Sequence, residues 1–240
     1  MFTGIVETTG AVLAVRPTRF GNRLAVDGRG LARRPAPGDS IAVNGVCLTH
    51  APDPARPGGD GELVFDVVRE TLDRSNLGRL AVGAPVNLEA SVRPDTPMAG
   101  HFVQGHVDAL GRVANVHDAP DQWRAAVEVG PEPLPCIVPK GSIAIDGVSL
   151  TIADVDPAAR WFDVALIPTT LGLTNLGRLK PGDVVNLETD IVARTVVHYL
   201  QNARHFAAPR ASADPADRPA DSANPPGLSA DKLRAAGFDA

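Results

Sequence analysis

The sequence is poor in cysteine, in aromatic residues and in basic charge. Two cysteines in 240 residues, Cys47 and Cys136, make neither a disulfide framework nor a zinc site. Phe 7, Trp 2 and Tyr 1 leave any core to Val, Leu, Ile and Ala. Lys+Arg 23 against Asp+Glu 28, with net charge −5, offers no broad basic field, which argues against nucleic acid as a partner. No apolar run approaches the roughly 18 residues of a membrane span. The Met-Phe-Thr-Gly start has no basic region followed by an apolar core, so a soluble, uncleaved, cytoplasmic protein without membrane contact is expected. P-loop, GxGxxG, GxSxG, HExxH and CxxC patterns are missing, so nucleotide, serine-hydrolase and metal readings lose support.

What the chain has is apolar content and a repeat. At 44% hydrophobic and 21% charged it can build packed cores, and its length suits two modest domains. Residues 40–49 read SIAVNGVCLT and residues 142–151 read SIAIDGVSLT. TLDRSNLGRL at 71–80 returns as TLGLTNLGRL at 170–179, and GAPVNLE at 83–89 as GDVVNLE at 182–188. A weaker echo sets Gly4-Ile5-Val6-Glu7 against Gly105-His106-Val107-Asp108. A period near 100 is too long for a solenoid and implies a duplicated domain. The expected domains are 1–97 and 98–189, with the proline-flanked RPDTPM stretch as the joint.

Each copy reads as all-β. Asn44-Gly45 and Asp146-Gly147, between apolar runs, are strong hairpin signals. Further strands are expected at 5–15, 63–68, 85–92, 107–116, 125–129, 162–166 and 184–187. Short strands joined by Gly/Pro turns suggest a small closed barrel in each copy. After Asp190, a helix N-cap candidate, Val192, Val196, Tyr199/Leu200 and Ala203 form one helical face over 190–206. That face either packs on the barrels or meets copies of itself. Residues 207–240, rich in Ala, Pro, Asp and Ser, read as a flexible tail.

Chemistry concentrates where the two copies differ. Cys47-Leu48-Thr49 faces Ser149-Leu150-Thr151 in the alignment, so a thiol stands where the other copy has a hydroxyl. A lone cysteine is more often a small buried filler, but the exchange falls inside an otherwise preserved repeat. His106 replaces Ile5, adding a group suited to proton transfer near neutral pH. His101 reads as structural. Lys140 reads as a turn lysine or, more sharply, as an anion contact. Glu70-Thr71 and Thr169-Thr170 end equivalent strands, and Asn76, Asn175, Asn87 and Asn186 read as turn residues.

Several of these motifs occur together in one family. MFTGIVE, NGVCLT, ETL…NLG, GHFVQGHVD, DGVSLT and TNLG, in this order, resemble riboflavin synthase of the alpha-chain, lumazine-binding-repeat type, over about residues 1–206. Thr169 stands where the family usually has Glu. The resemblance implies two tandem six-stranded Greek-key barrels and a C-terminal helix that joins three chains into a homotrimer. It implies dismutation of two 6,7-dimethyl-8-ribityllumazine molecules by four-carbon transfer, giving riboflavin and 5-amino-6-ribitylamino-uracil without a cofactor or metal. By the same resemblance Cys47, His106, Ser149 and Thr151 are the catalytic candidates. Gly4, Ile5, Val6, Leu48, Thr49, Gly105, Val107 and Leu150 would fix ring edges, with Phe2 stacking over the pocket and Lys140 at its margin. Asp66, Val67, Val68, Arg69, Glu70 and Thr71 would flank ring and ribityl chain in one copy. Ala165, Leu166, Ile167, Pro168, Thr169 and Thr170 would do so in the other. Lumazine synthase is a further partner suggested by the resemblance. Two other classes stay open: a non-catalytic lumazine- or flavin-binding protein of the same fold, and a flavin-reductase-like barrel, which would need a nicotinamide domain that is not seen.

Overall fold

The computed structural model describes residues 1–53, 59–119 and 122–206; the tail expected over 207–240 lies outside them. Met1–His198 form one compact unit containing two six-stranded antiparallel barrels. The first holds β1 (Thr8–Pro17), β2 (Gly21–Asp27), β3 (Ser40–Val43), β4 (Val46–Thr49), β5 (Glu62–Val68) and β6 (Pro85–Ala90). Its strand order is β4-β3-β6-β1-β2-β5, and a bridge from His50 to Phe65 closes the ring between β4 and β5. The second holds β7 (Ala109–Ala119), β8 (Gln122–Glu128), β9 (Ser142–Ile145), β10 (Val148–Asp156), β11 (Trp161–Leu166) and β12 (Val184–Thr189), closed in the order β10-β11-β8-β7-β12-β9. In both, the last strand inserts between the first and third, which is the Greek-key connection.

Alternation along the strands fills each barrel. Val12, Val26, Ile41, Val43, Phe65, Val86 and Leu88 point into the first, and Val113, Val127, Ile143, Ile145, Phe162, Val185 and Leu187 into the second. A fully buried side chain of this size contributes roughly 1.5–3 kcal/mol. The sequence reading missed β2, where Asn22 and Arg23 hide a short Leu24-Ala25-Val26 run.

The two hairpins use the residues that their turns demand. Asn44 (φ 47°) and Gly45 (φ 75°), like Asp146 (φ 45°) and Gly147 (φ 80°), put two successive positive φ angles between strands, the mirror-type turn that matches strand twist. The tips then meet: a Cβ on Gly45 would lie 2.6 Å from the Gly147 nitrogen.

Asparagines join the barrels at these tips. The Asn87 side-chain amide donates to the Asp146 carbonyl at 2.9 Å, and that of Asn186 to the Asn44 carbonyl at 2.7 Å. Asn76 N–H donates to Asn186 Oδ1 and Asn175 N–H to Asn87 Oδ1, both at 2.7 Å. The reading of these four as turn residues is therefore corrected: their side chains are the seam between the barrels.

Two short helices, α1 (Arg69–Arg74) and α2 (Pro168–Leu173), follow β5 and β11. A longer one, α3 (Ile191–Phe206), ends the described chain. Asp190 caps it, accepting the Val192 N–H at 2.7 Å. Val192, Val196, Tyr199 and Leu200 are all more than half exposed.

Candidate active site

Each barrel is completed by a neck segment that comes from the start of the other copy. In residues 4–6 and 105–107 the chain crosses before its own first strand begins. Val6 packs into the second barrel's core, and Val107 packs against the first. This crossing is why β1 and β7 start later than the sequence suggested.

The crossing creates two equivalent half-sites. In one, Ser149 N–H on β10 donates to the Gly4 carbonyl at 2.8 Å. In the other, Cys47 N–H on β4 donates to the Gly105 carbonyl at 2.9 Å. Both necks turn at glycine with positive φ, 74° and 80°. A Cβ on Gly4 would lie 2.6 Å from Ser149 Cβ, and one on Gly105 2.5 Å from Cys47 Cβ, so only glycine permits this approach. The structure thus brings together Gly4 with Ser149 and Gly105 with Cys47.

The half-sites differ in their polar side chains. Ser149 Oγ lies 2.7 Å from His101 Nδ1. Burial pushes the His101 imidazole below its ordinary value, opposed by the charge of Asp190, so the neutral ring is favoured at neutral pH. His101 Nε2 is buried and meets no hydrogen-bond partner among the described residues. Beside Cys47, which is half-buried, His106 is exposed on its neck.

Two buried carboxylates hold the necks. Glu89 on β6 accepts Thr3 N–H at 2.6 Å, Thr3 Oγ1 at 2.8 Å and Gly4 N–H at 3.1 Å. Glu188 on β12 accepts Gln104 N–H at 2.6 Å and the N–H groups of Gly105 and His106, both at 2.9 Å. Burial pushes Glu89 up to about 7 and raises Glu188, while the N–H donors pull the other way.

The remaining expected residues take three placements. Leu48 and Leu150 point into the cores, whereas Thr49 and Thr151 are exposed one residue on. Of the residues around β5 and β11, Val67 and Leu166 are buried. Asp66, Val68, Arg69, Glu70, Ala165, Ile167, Pro168 and Thr169 are exposed, and Thr71 and Thr170 are half-buried. Glu70 pairs with Arg74 one helical turn on, a contact that Thr169 cannot make. Lys140 is exposed with φ 65°. Phe2 requires a correction. It is fully buried with Ala42, Val103 and Ala144 between the barrels, so its ring cannot stack over a ligand.

A family model described as the lumazine binding domain matches residues 3–91 and again 104–190. The chain belongs to the lumazine-binding domain family. Among relatives of this lumazine-binding chain, the riboflavin synthase of Mycobacterium tuberculosis (strain ATCC 25618 / H37Rv) is 43% identical over 205 residues, covering 85% of this chain and 100% of that one. The riboflavin synthase of Actinobacillus pleuropneumoniae is 36% identical over 238 residues, covering 99% and 100%. Among solved structures, LumP complexed with riboflavin superposes with TM-score 0.68 at 26% identity, covering 79% of this chain and 99% of LumP.

Sequence reasoning missed three residues that hold these half-sites together. His101, which reads as structural in the sequence, reaches Ser149. Glu89 and Glu188 were seen only as the end of the repeated VNLE. That repetition was the available signal, since an acidic residue held at equivalent positions of two inward-packing strands needs a polar partner.

Proposed function

We infer that this chain is a riboflavin synthase. One observation carries the reading: a duplicated lumazine-binding domain that aligns over the whole length of riboflavin synthases at up to 43% identity. The reaction takes two molecules of 6,7-dimethyl-8-ribityllumazine. One gives up a four-carbon unit and leaves as 5-amino-6-ribitylamino-uracil; the other accepts it and becomes riboflavin. The atoms of the two products sum to those of the two substrates, so no oxidant, reductant or water is consumed overall.

The duplication suits this stoichiometry, because two similar half-sites can each hold one copy of the same molecule. The 7-methyl group of the lumazine is acidic, since its carbanion delocalises into the ring. The reaction needs a base for that proton, a nucleophile that saturates the acceptor ring, and two eliminations. In our reading neutral His101, hydrogen-bonded to Ser149, accepts a proton through the serine hydroxyl. Cys47 polarises or adds to the lumazine of the other half-site, where His106 assists proton transfer, and Thr151 holds a ring edge. Holding two rings face to face replaces a bimolecular encounter and supplies much of the rate.

Half-sites from different chains would face each other in a homotrimer joined by α3, whose exposed Val192, Val196, Tyr199 and Leu200 supply an apolar stripe. The proposal includes a cytoplasmic setting and association with lumazine synthase. The cytoplasmic setting is supported by the polar, diffusible substrate; among the described residues no helix is long and apolar enough to cross a membrane.

The likeness to LumP favours a second reading, a binding protein without turnover. Mixing the purified chain with 6,7-dimethyl-8-ribityllumazine alone separates the two. The enzyme reading expects lumazine absorbance to fall as riboflavin fluorescence grows, one riboflavin per two lumazines; stable binding without conversion would establish the alternative. Light scattering on full-length and 1–190 proteins tests the assembly, with a trimer expected only for the former.

A further inference from the structure

Glu89 and Glu188 are chemically expensive residues for a barrel wall. They are 4% and 3% exposed, and no Lys or Arg among the described residues pairs with either. A carboxylate buried without a cation is worse than an apolar residue of the same shape unless its hydrogen bonds are needed. Here nearly all of those bonds go to one object. Glu89 receives three donors from Thr3 and Gly4, and Glu188 three from Gln104, Gly105 and His106.

The wiring is crossed. Across its own sheet Glu89 registers with Ala42, and Ala42 with Cys47. Glu188 registers with Ala144, and Ala144 with Ser149. Proximity within a sheet therefore pairs Glu89 with Cys47 and Glu188 with Ser149. The necks pair them the other way. Glu89 holds Gly4, whose carbonyl takes the Ser149 N–H, while Glu188 holds Gly105 and His106, and the Gly105 carbonyl takes the Cys47 N–H.

We propose that Glu89 and Glu188 are positioning residues of the lumazine reaction, each fixing the reactive residue of the opposite barrel through the neck it clamps: Glu89 sets Ser149, and Glu188 sets Cys47 and His106. The assignment rests on the riboflavin synthase reading. Each neck is hydrogen-bonded to its reactive residue, at 2.8 Å for Ser149 and 2.9 Å for Cys47, so a slack neck displaces that residue directly. Misplacement by about 1 Å costs on the order of 100-fold in rate.

The crossed arrangement is tested on the full-length chain with Glu188→Gln and Glu89→Gln, each of which turns an acceptor oxygen into an NH2 that confronts the neck's N–H groups. Iodoacetamide labelling of Cys47, with buried Cys136 as internal reference, reads neck position without requiring turnover. Glu188→Gln is expected to speed Cys47 alkylation by about fivefold or more, and Glu89→Gln to leave it within about twofold. Both should lower kcat by roughly 10- to 100-fold with KM nearly unchanged. Glu188→Asp, which keeps the charge but shortens the reach, should behave like Glu188→Gln and serves if the amide variant does not fold. A response of Cys47 to Glu89→Gln as large as to Glu188→Gln, or to neither, overturns the crossed wiring. A wild-type chain that makes no riboflavin would instead sink the enzyme reading, and the labelling ratio would still decide the wiring.

Discussion

Lys140 is the residue whose backbone and side chain disagree most openly. Its φ of 65° lies in the left-handed region, where a β-carbon costs on the order of 1 kcal/mol. The first barrel makes the same turn with Gly38 at φ 91°, and both residues donate their N–H to the carbonyl that follows the equivalent hairpin, His50 or Ile152, at 2.8 Å. Glycine would relax this turn, and the exposed Lys140 side chain is the anion contact that the proposed lumazine site would use. Lys140→Gly is therefore expected to change stability by less than about 1 kcal/mol. The same variant should weaken lumazine binding by about tenfold, the loss of one charge-assisted hydrogen bond. Fluorescence titration with the lumazine and a thermal melt measure the two effects separately. Unchanged affinity would return Lys140 to the role of a turn residue.

At the scale of elements, the hairpin tips do two tasks with one pair of residues. Gly147 needs positive φ for its turn and also room for the opposite tip, since a Cβ there would lie 2.7 Å from the Gly45 nitrogen. Gly182 has φ 96° but open space around it. Gly182→Ala should thus cost only about 1 kcal/mol, whereas Gly147→Ala should cost about 2–4 kcal/mol because the barrels must part. Urea melts of the two variants measure the difference, and equal costs would show that the tips do not bear on each other. These hairpins were legible in the sequence, because Asn-Gly and Asp-Gly announce a local turn. So were most strands, the closed barrels and the helix cap, all of which depend on near neighbours or on alternation. The seam was not legible. Asn76 finds its partner in Asn186, 110 positions away, and nothing in local spacing encodes that bond. The crossing of the necks was hidden for the same reason: Ile5-Val6 and Val107 read as the starts of strands, but Val6 and Val107 pack on a barrel assembled from distant sequence. The contact of His101 with Ser149, 48 positions away, was equally invisible in local spacing.

For the whole molecule, buried acids make stability depend on pH in an unusual direction. Asp146 lies fully buried at the seam, accepting the Asn186 N–H at 2.8 Å and the Asn76 amide at 2.9 Å, with no salt-bridge partner among the described residues. Burial pushes it up to about 7, as it does Glu89. Both values lie above those of the unfolded chain, so the folded chain holds protons that the unfolded chain releases between about pH 4 and 7. The stability that these groups contribute is complete below their unfolded values and is lost as pH rises towards 7. Asp27 and Asp39 act oppositely: hydrogen bonds from Arg29, and from the Ala36 N–H and Arg33, hold them below the ordinary carboxylate range, so their contribution fades only as pH falls below about 4. The acids therefore place the melting-temperature maximum near pH 4–5, while His50 and His101, whose imidazoles burial holds below their ordinary value, gain stability as pH rises and blunt the decline towards pH 8. Asn44 shows what a neutral side chain does at the equivalent position, accepting from the Asn87 N–H at 2.8 Å and the Asn175 amide at 3.2 Å. Asp146→Asn should accordingly raise the melting temperature by about 2–6 °C at pH 8 and change it little at pH 4.5. Calorimetry at the two pH values measures both. An equal effect at both would mean that Asp146 does not change charge across this range, and the seam would then be as indifferent to pH as its asparagines.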